Sequence, residues 1–159
     1  MNYMAILLEG LLAGFISSSL GVILTAPPRY LFPVFFCGFA GRFVRDGLIG
    51  FGLSFNWATM LAAAAVVLVG AAIVRRHAVS PVALVSGVLP LAASASMFDA
   101  ILDLIRVSSA QGEALRDASV SLIANSAKVF TTSLAIALGL AAGMAIVRVI
   151  RGEKVWESV

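Results

Sequence analysis

Long apolar runs separated by short polar segments are the feature that most constrains the fold of this chain. A helix that crosses a bilayer needs about 20 predominantly apolar residues, and five segments of the 159-residue sequence approach or exceed that length. A helix also satisfies its own backbone hydrogen bonds inside lipid. The runs therefore predict an all-α, polytopic bundle of about five transmembrane helices, a single membrane domain over residues 1–159. The predicted spans are residues 4–25, 31–53, 55–74, 79–105 and 118–149.

Composition excludes the main alternatives to a membrane protein. The chain is 61% hydrophobic and 12% charged, whereas an ordinary soluble domain is about 45–50% apolar and about 25% charged. So few polar residues are unable to cover a water-soluble surface. Cys37 is the single cysteine, which excludes a disulfide within the chain, and we interpret it as a small buried apolar residue.

The boundaries of the runs are marked by prolines and charges. The first run is expected to be a retained helix, since its apolar stretch is long and no basic residue precedes it, unlike a cleaved signal peptide. The Pro pair at 27 and 28 stops this helix. The second run is the weakest by hydropathy because charged residues occur in its second half. A polar connection is expected over residues 106–117.

The distribution of lysine and arginine predicts the orientation. Cytoplasmic segments of membrane proteins carry an excess of these residues. With the N-terminus outside, the outer segments hold only Arg106 and Arg116. We therefore predict an outer N-terminus and an inner C-terminus. The inner segments then hold Arg29, Arg75, Arg76, Arg148, Arg151 and Lys154.

Small residues recur at the spacing that lets helices pack closely in lipid. Gly10 and Gly14 form one GxxxG pair, followed by Ser18, and Gly139 and Gly143 form another, preceded by Ala135. Such pairs predict helix–helix contact without identifying the partner helix.

Charged residues within the apolar runs are the main functional signal, because a charge at membrane depth is costly and usually faces a cavity or a partner. Arg42, Arg45 and Asp46 share one helix face at i, i+3 and i+4. They are interpreted either as an anion-binding face in which Asp46 sets the geometry or carries a proton, or as a self-neutralising cluster that holds the bundle together. Glu9 lies early enough in its run to reach the outer headgroups, which is the interpretation we favour.

A second group of polar residues occurs in the fourth and fifth runs. Asp99 and Asp103 share a face, with Arg106 close to the same line. A buried aspartate is a candidate proton relay; the alternative is that both lie near the outer interface and pair with Arg106, which we favour for Asp103. Asn125 and Lys128 follow in the fifth run, and Lys128 is expected to face Asp99 or a substrate carboxylate, or to lie near the outer surface.

Pro90 lies near the middle of the fourth run. A proline there interrupts the backbone hydrogen bonds of a helix, which membranes tolerate where a neighbour or a cavity satisfies the freed groups. Ser94 and other small or hydroxyl residues follow it. The pattern is typical of a broken helix at a transport site, and a structural kink is the alternative.

Motifs of enzymes and nucleic-acid-binding proteins do not occur in the sequence. It has no P-loop, HExxH, GxSxG or CxxC pattern and no dinucleotide-binding glycines. One histidine and one cysteine are too few for a typical zinc site, and no aromatic–basic groove is suggested. We therefore expect no catalytic residues, no cofactor, no metal and no nucleic-acid partner. The classes of function that remain are transport and assembly in a lipid bilayer.

The order of several short motifs resembles the threonine/serine exporter family, and more closely the small subunit of two-component bacterial exporters associated with succinate and related dicarboxylates. The resemblance covers about residues 20–151. Where family members tend to have a Pro-Gly pair after the equivalent of Pro90, this chain has Ala93 and Ser94. The motifs are the segments Ala26 to Leu31, Asn56 to Thr59 and Gly87 to Pro90.

This resemblance implies one subunit of a secondary exporter in the bacterial inner membrane. Its partner would be a larger subunit with a cytosolic domain, and homo-oligomerisation is a second arrangement to consider. The cargo implied is a small carboxylate or a hydroxy amino acid. A membrane scaffold that does not itself transport is the alternative. The residues expected to bind substrate are Arg42, Arg45, Lys128, Asn125, Pro90 and Ser94, and those expected to couple protons are Asp99 and Asp46.

Overall fold

A computed structural model describes residues 3–73, 81–92 and 94–151 of the chain. Every regular element within those ranges is helical, which confirms the predicted all-α class. The α-helices are α1 (Tyr3–Ile23), α2 (Leu31–Gly50), α3 (Phe55–Ile73), α4 (Pro81–Val88), α5 (Ser94–Ser109) and α6 (Glu113–Arg151). Two single 3₁₀ turns, Pro28–Tyr30 and Leu89–Leu91, precede α2 and follow α4.

Three of the described helices are long and apolar enough to cross a membrane. They contain the segments Ile6–Ile23, Phe55–Ile73 and Glu113–Ile150, and the pair Leu84–Leu91 and Ser96–Ser109 adds a fourth if it forms one broken span. Helix α2 is not among them, since its 20 residues include three charges. The count of five spans stays a prediction. So does the orientation, because Arg75, Arg76 and Lys154 lie outside the described residues.

The boundaries of the last two predicted runs differ from the observed helices. Pro90 lies in the 3₁₀ turn after α4, so the fourth run is two helices; proline lacks the N–H that would continue the first of them. The polar connection expected over residues 106–117 consists mostly of helix ends in the structure. Helix α5 continues to Ser109 and α6 begins at Glu113, with Gly112 at a φ of +64° between them. Helix α6 has 39 residues, a length of about 58 Å at 1.5 Å per residue.

The described helices fall into two compact units, one within residues 1–91 and 135–159 and the other within residues 92–134. In the first unit, α1 packs against α2 through the predicted glycine pair. A Cβ atom at Gly14 would lie 2.8 Å from Cε2 of Phe35, and one at Gly10 would lie 3.1 Å from Cε2 of Phe39. A Cβ atom at either position would require the facing phenylalanine ring to shift, so the two glycines leave the space in which these rings pack.

The second glycine pair packs α6 against α3 in the same unit. A Cβ atom at Gly139 would collide with the main-chain oxygen of Met60, and one at Gly143 would lie 2.9 Å from Cβ of Val67. Both GxxxG predictions are therefore confirmed as helix contacts. The core beside them contains the fully buried Cys37, as expected, and its other buried members are Ala62, Ala63, Val66, Val88 and Leu91.

Large apolar side chains are exposed along most of the helices. Phe15, Phe51, Phe130 and Ile150 are examples, and each is more exposed than half. A soluble protein rarely presents extensive apolar surface to water. These side chains are suited to contact lipid tails.

Candidate functional site

The polar face predicted on α2 is present, and its carboxylate lies between two guanidinium groups. Oδ2 of Asp46 is 2.6 Å from Nε of Arg42, one helical turn away, and Oδ1 is 3.4 Å from Nε of Arg45. The i, i+4 spacing places the side chains of Arg42 and Asp46 on the same side of the helix. The structure thus brings together three residues that the sequence grouped by spacing alone.

Glu9 of α1 completes this cluster. Its Oε2 atom accepts a hydrogen bond of 2.5 Å from Nη2 of Arg42. The favoured interpretation, in which Glu9 reaches the outer headgroups, missed this contact. We refer to Glu9, Arg42, Arg45 and Asp46 as the charge tetrad; with two acids and two bases, its formal charge is zero.

Arg45 is the buried member of the tetrad, with only 4% of its surface exposed. Its Nη1 atom donates a hydrogen bond of 3.1 Å to the main-chain oxygen of Leu91. The guanidinium carbon lies 5.4 Å from the ring centroid of Phe55, within range of a cation–π interaction. Arg45 therefore connects α2 with the start of α3 and with the break after α4.

The break itself explains why a carbonyl is available there. A helix leaves its last carbonyls without intrahelical donors, and Leu91 is the last residue of the 3₁₀ turn that contains Pro90. The carbonyl that Arg45 contacts at this break belongs to Leu91, the residue that follows Pro90. Ser94 begins α5, and its side chain lies outside the described part of the structure.

The hydrogen-bonding capacity of the tetrad is not exhausted. A guanidinium carries five N–H donors, and the described residues accept hydrogen bonds from two of those of Arg45. Oδ2 of Asp46 is buried and accepts no well-directed hydrogen bond from the described residues, although Nε of Arg42 is close. The cluster therefore retains donors for an anion and an acceptor for a proton.

A second polar cluster lies between α5 and α6, and its centre is Asp103. Oδ2 of this buried carboxylate accepts hydrogen bonds from Ser121 at 2.6 Å and Asn125 at 2.9 Å. Oδ1 accepts one of 3.2 Å from Nη1 of Arg106, which confirms the favoured pairing of these two residues. Asn125, predicted to bind substrate, is thus engaged by Asp103. Sequence reasoning missed Ser121, because serine is common in apolar helices.

Asp99 and Lys128 are not joined by the structure. Both side chains are exposed, and neither forms an ion pair with any residue in the described ranges. The expectation that Lys128 faces Asp99 is therefore not met by a direct contact. Asp103, and not Asp99, is the buried acid of α5.

Residues that could ligate a metal are dispersed. Within residues 3–73, 81–92 and 94–151, no three His, Cys, Asp or Glu side chains are grouped as a metal ion would require. What the two clusters offer instead is paired opposite charge, suited to small charged organic molecules.

Comparison with known protein families gives one match. The family model for the threonine/serine exporter, ThrE, matches residues 9–150, a range that includes both polar clusters. No curated protein and no solved structure matches the chain.

Proposed function

The chain belongs to the threonine/serine exporter family, and on this premise we propose that it is one subunit of a secondary exporter for small carboxylates. The cargo we propose is a hydroxy amino acid such as threonine or serine, or a succinate-like dicarboxylate. The partner we propose is a larger membrane subunit with a cytosolic domain, and the location is the bacterial inner membrane. The chain acts by transport and has no catalytic step.

The buried guanidinium of Arg45 is the observation that carries this proposal. Burying an unneeded charge in an apolar bundle is costly. Arg45 lies at the interrupted helix, where it retains unused N–H donors. A planar guanidinium binds a carboxylate through two parallel hydrogen bonds. Arg45 is therefore our primary substrate-binding residue, with Arg42 beside it.

Charge balance supports a proton-coupling role for Asp46. The tetrad is formally neutral, so each carboxylate group of the cargo that enters it brings a local charge of −1. A proton taken up by Asp46, whose Oδ2 is buried without a well-directed donor, restores neutrality in the apolar surroundings. Substrate binding and protonation then favour one another, which is the linkage expected of a carrier that moves cargo and proton in the same direction.

A second set of proposed site residues remains in the 92–134 unit. Lys128 and Asp99 are exposed charges on helices that also expose apolar side chains. We propose that they meet the substrate or the larger subunit, Lys128 as an anion contact and Asp99 as a proton carrier. Asn125 contributes by orienting Asp103, with which it is hydrogen bonded.

The scaffold alternative is favoured by one specific observation. In the tetrad each arginine already has a carboxylate partner, as expected if the charges only hold α1, α2 and the α4 break together. A scaffold would retain assembly of a complex but would not itself contact cargo. Export measurements at equal complex abundance separate the two functions.

The test is efflux of preloaded radiolabelled threonine, serine and succinate from bacterial cells that lack their own exporters. The chain is expressed alone and together with the larger candidate subunit. As a control, the Arg116→Gln variant of this chain, altered at an exposed arginine that is not a member of the tetrad, is expressed with the same subunit. We expect efflux only when both subunits are present, and we expect the Arg116→Gln variant to support the same efflux rate as the unaltered chain. Transport by this chain alone would contradict the two-subunit form. Absence of efflux of all three labels, despite membrane insertion of both subunits, would contradict the proposed cargo.

A further inference from the structure

Glu9 differs from the other three members of the charge tetrad in its helix and in its exposure. It lies on α1, whereas Arg42, Arg45 and Asp46 all belong to α2. The exposed fraction of its side chain is 51%, compared with 15% for Asp46 and 5% for Arg45. Glu9 has no part in the cargo binding or the proton coupling proposed above. Its carboxylate is nevertheless bound to Arg42, an arginine that we assign to the cargo.

Arg42 already lies within ion-pair distance of two carboxylates. Its Nη2 atom donates a hydrogen bond of 2.5 Å to Oε2 of Glu9, and its Nε atom lies 2.6 Å from Oδ2 of Asp46. Two carboxylates around one guanidinium leave a local charge of −1, so both would repel a third carboxylate at Arg42. Arg42 is therefore open to a cargo carboxylate only after one of its two present partners has moved away.

Arg45 has fewer negative neighbours than Arg42. Among the described residues its one carboxylate partner is Asp46, at 3.4 Å, which is a longer distance than either ion-pair contact of Arg42. Its other hydrogen-bond partner is the neutral main-chain oxygen of Leu91. A cargo carboxylate at Arg45 thus meets one negative charge fewer than it would at Arg42. The tetrad as it stands offers one guanidinium, and not two, to an incoming anion.

The side chain of Glu9 can leave Arg42 without movement of α1. The next residue, Gly10, is packed against α2, where an added Cβ atom would lie 3.1 Å from Cε2 of Phe39. This packing holds the backbone of α1 in place, and the half-exposed glutamate turns outward by rotation about its own bonds. Glu9 is the fourth residue of the candidate span Ile6–Ile23, about 4.5 Å from its start. The released carboxylate therefore stays close to the polar headgroup region.

We propose that Glu9 is a specificity-determining residue: by occupying Arg42, its carboxylate limits the tetrad to one carboxylate group of a cargo molecule. A molecule with a single carboxylate binds at Arg45 and leaves the contact between Glu9 and Arg42 intact. The second carboxylate of a dicarboxylate meets Glu9 and Asp46, and it binds only when Glu9 has been displaced. This inference rests on the proposed function, since it takes Arg45 as the primary binding residue, and it separates the two kinds of cargo proposed there.

Binding to the purified full-length chain, alone and in complex with the larger subunit, tests this inference separately from export. The probes are radiolabelled succinate and its monoamide succinamate, which share a four-carbon skeleton and differ in one carboxylate. The unaltered chain should bind succinamate more tightly than succinate. Glu9→Gln keeps the shape of the side chain and removes its charge. In this variant the dissociation constant for succinate, divided by that for succinamate, should fall by about tenfold or more, as expected for one added charge-assisted hydrogen bond.

Two further variants locate the second carboxylate of succinate. Arg42→Gln, made in the Glu9→Gln background, should abolish the shift in the ratio, because the guanidinium that Glu9 releases is then absent. A shift that persists without Arg42 would contradict the inference. Glu113→Gln removes an exposed acid of α6 that is not a member of the tetrad, and its ratio should equal that of the unaltered chain. Helical circular dichroism checks that each variant is folded before binding is measured.

Three other outcomes would overturn the inference: succinate bound by the unaltered chain at least as tightly as succinamate, a ratio that Glu9→Gln leaves unchanged, or binding of neither probe to either preparation. If the unaltered chain supports efflux, these outcomes reject the role of Glu9 and leave the export function in place. Conversely, the expected shift in a chain that supports no efflux would retain Glu9 as the determinant of an anion site and reject the exporter proposal.

Discussion

Arg45 donates a hydrogen bond of 3.1 Å to the main-chain oxygen of Leu91, at the point where the helical path through α4 is interrupted. The bond joins the buried charge of α2 to a carbonyl that the break after Val88 leaves available. Because both partners are buried, loss of either leaves an unsatisfied polar group in an apolar environment. This buried hydrogen bond therefore ties the break to the tetrad.

Asp46→Asn should make export insensitive to the proton gradient. The amide keeps the shape of the side chain but carries no negative charge and takes up no proton. We expect normal membrane abundance, together with an efflux rate that no longer changes when a protonophore collapses the gradient. Glu113→Gln, an exposed change in the first turn of α6, serves as the control. If efflux by the Asp46→Asn variant responds to the protonophore as efflux by the unaltered chain does, Asp46 does not couple transport to protons.

The Glu9–Arg42 contact should tolerate exchange of its charges. Glu9→Lys or Arg42→Glu alone places like charges together, so each single variant should show reduced abundance of intact protein in the membrane. The double variant should regain part of this abundance, because the attraction between α1 and α2 is restored although the carboxylate then at position 42 faces Asp46. Quantitative immunoblots measure abundance. A double variant no more abundant than the worse single variant would show that the two side chains do not interact in the membrane.

Rescue of the same double variant also separates the two candidate functions. If the tetrad binds cargo, the exchanged pair should restore abundance without restoring efflux, because Arg42 is no longer beside Arg45. If the tetrad only holds helices together, abundance and efflux should recover in parallel.

Gly139→Ala should destabilise the contact of α6 with α3. The added Cβ would collide with the main-chain oxygen of Met60, and forced overpacking typically costs about 1–3 kcal/mol. Gly47→Ala is the matched control, since a Cβ there meets nothing within 4 Å and a helical alanine gains roughly 0.5–1 kcal/mol over glycine. Thermal unfolding in detergent compares them. Equal midpoints for the two variants would contradict the packing described here.

Asp103→Asn should destabilise the 92–134 unit. The amide places N–H donors against the donors of Ser121, Asn125 or Arg106, whichever way it is turned. An unsatisfied buried donor costs about 1–3 kcal/mol. Asp99→Asn, on the same helix but exposed, should stay within about 0.5 kcal/mol of the unaltered chain. Hydrogen exchange over α5 and the start of α6 measures both. Equal protection in the two variants would contradict the central role of Asp103.

The sequence was sufficient for features that depend on local spacing. Run length predicted the all-α class, the spacing of Gly139 and Gly143 predicted a close helix contact, and the i, i+3, i+4 spacing grouped Arg42, Arg45 and Asp46. Each of these follows from the geometry of a single helix. The order of the short motifs was sufficient to identify the threonine/serine exporter family.

Contacts between different helices could not be predicted from spacing within a single helix. Glu9 meets Arg42 because α1 and α2 are adjacent and turned toward each other, and no property of residues 4–25 alone fixes that rotation. For the same reason Asp103, and not Asp99, became the buried acid, since a difference of one helical turn decides which carboxylate reaches Ser121. The sequence also did not predict that most of residues 106–117 are helical. The polar and charged residues of this range are compatible with exposed helix ends as well as with a loop.

The central claim is tested most directly by efflux of labelled threonine and succinate from cells that express the Arg45→Gln variant together with the larger subunit. The variant and the unaltered chain are compared at equal abundance in the membrane. Glutamine keeps a polar side chain at this position but lacks the charge and the paired donors that a carboxylate requires. We predict that efflux at equal membrane abundance falls by about tenfold or more. Efflux at the unaltered rate would contradict the assignment of Arg45 as the substrate-binding residue.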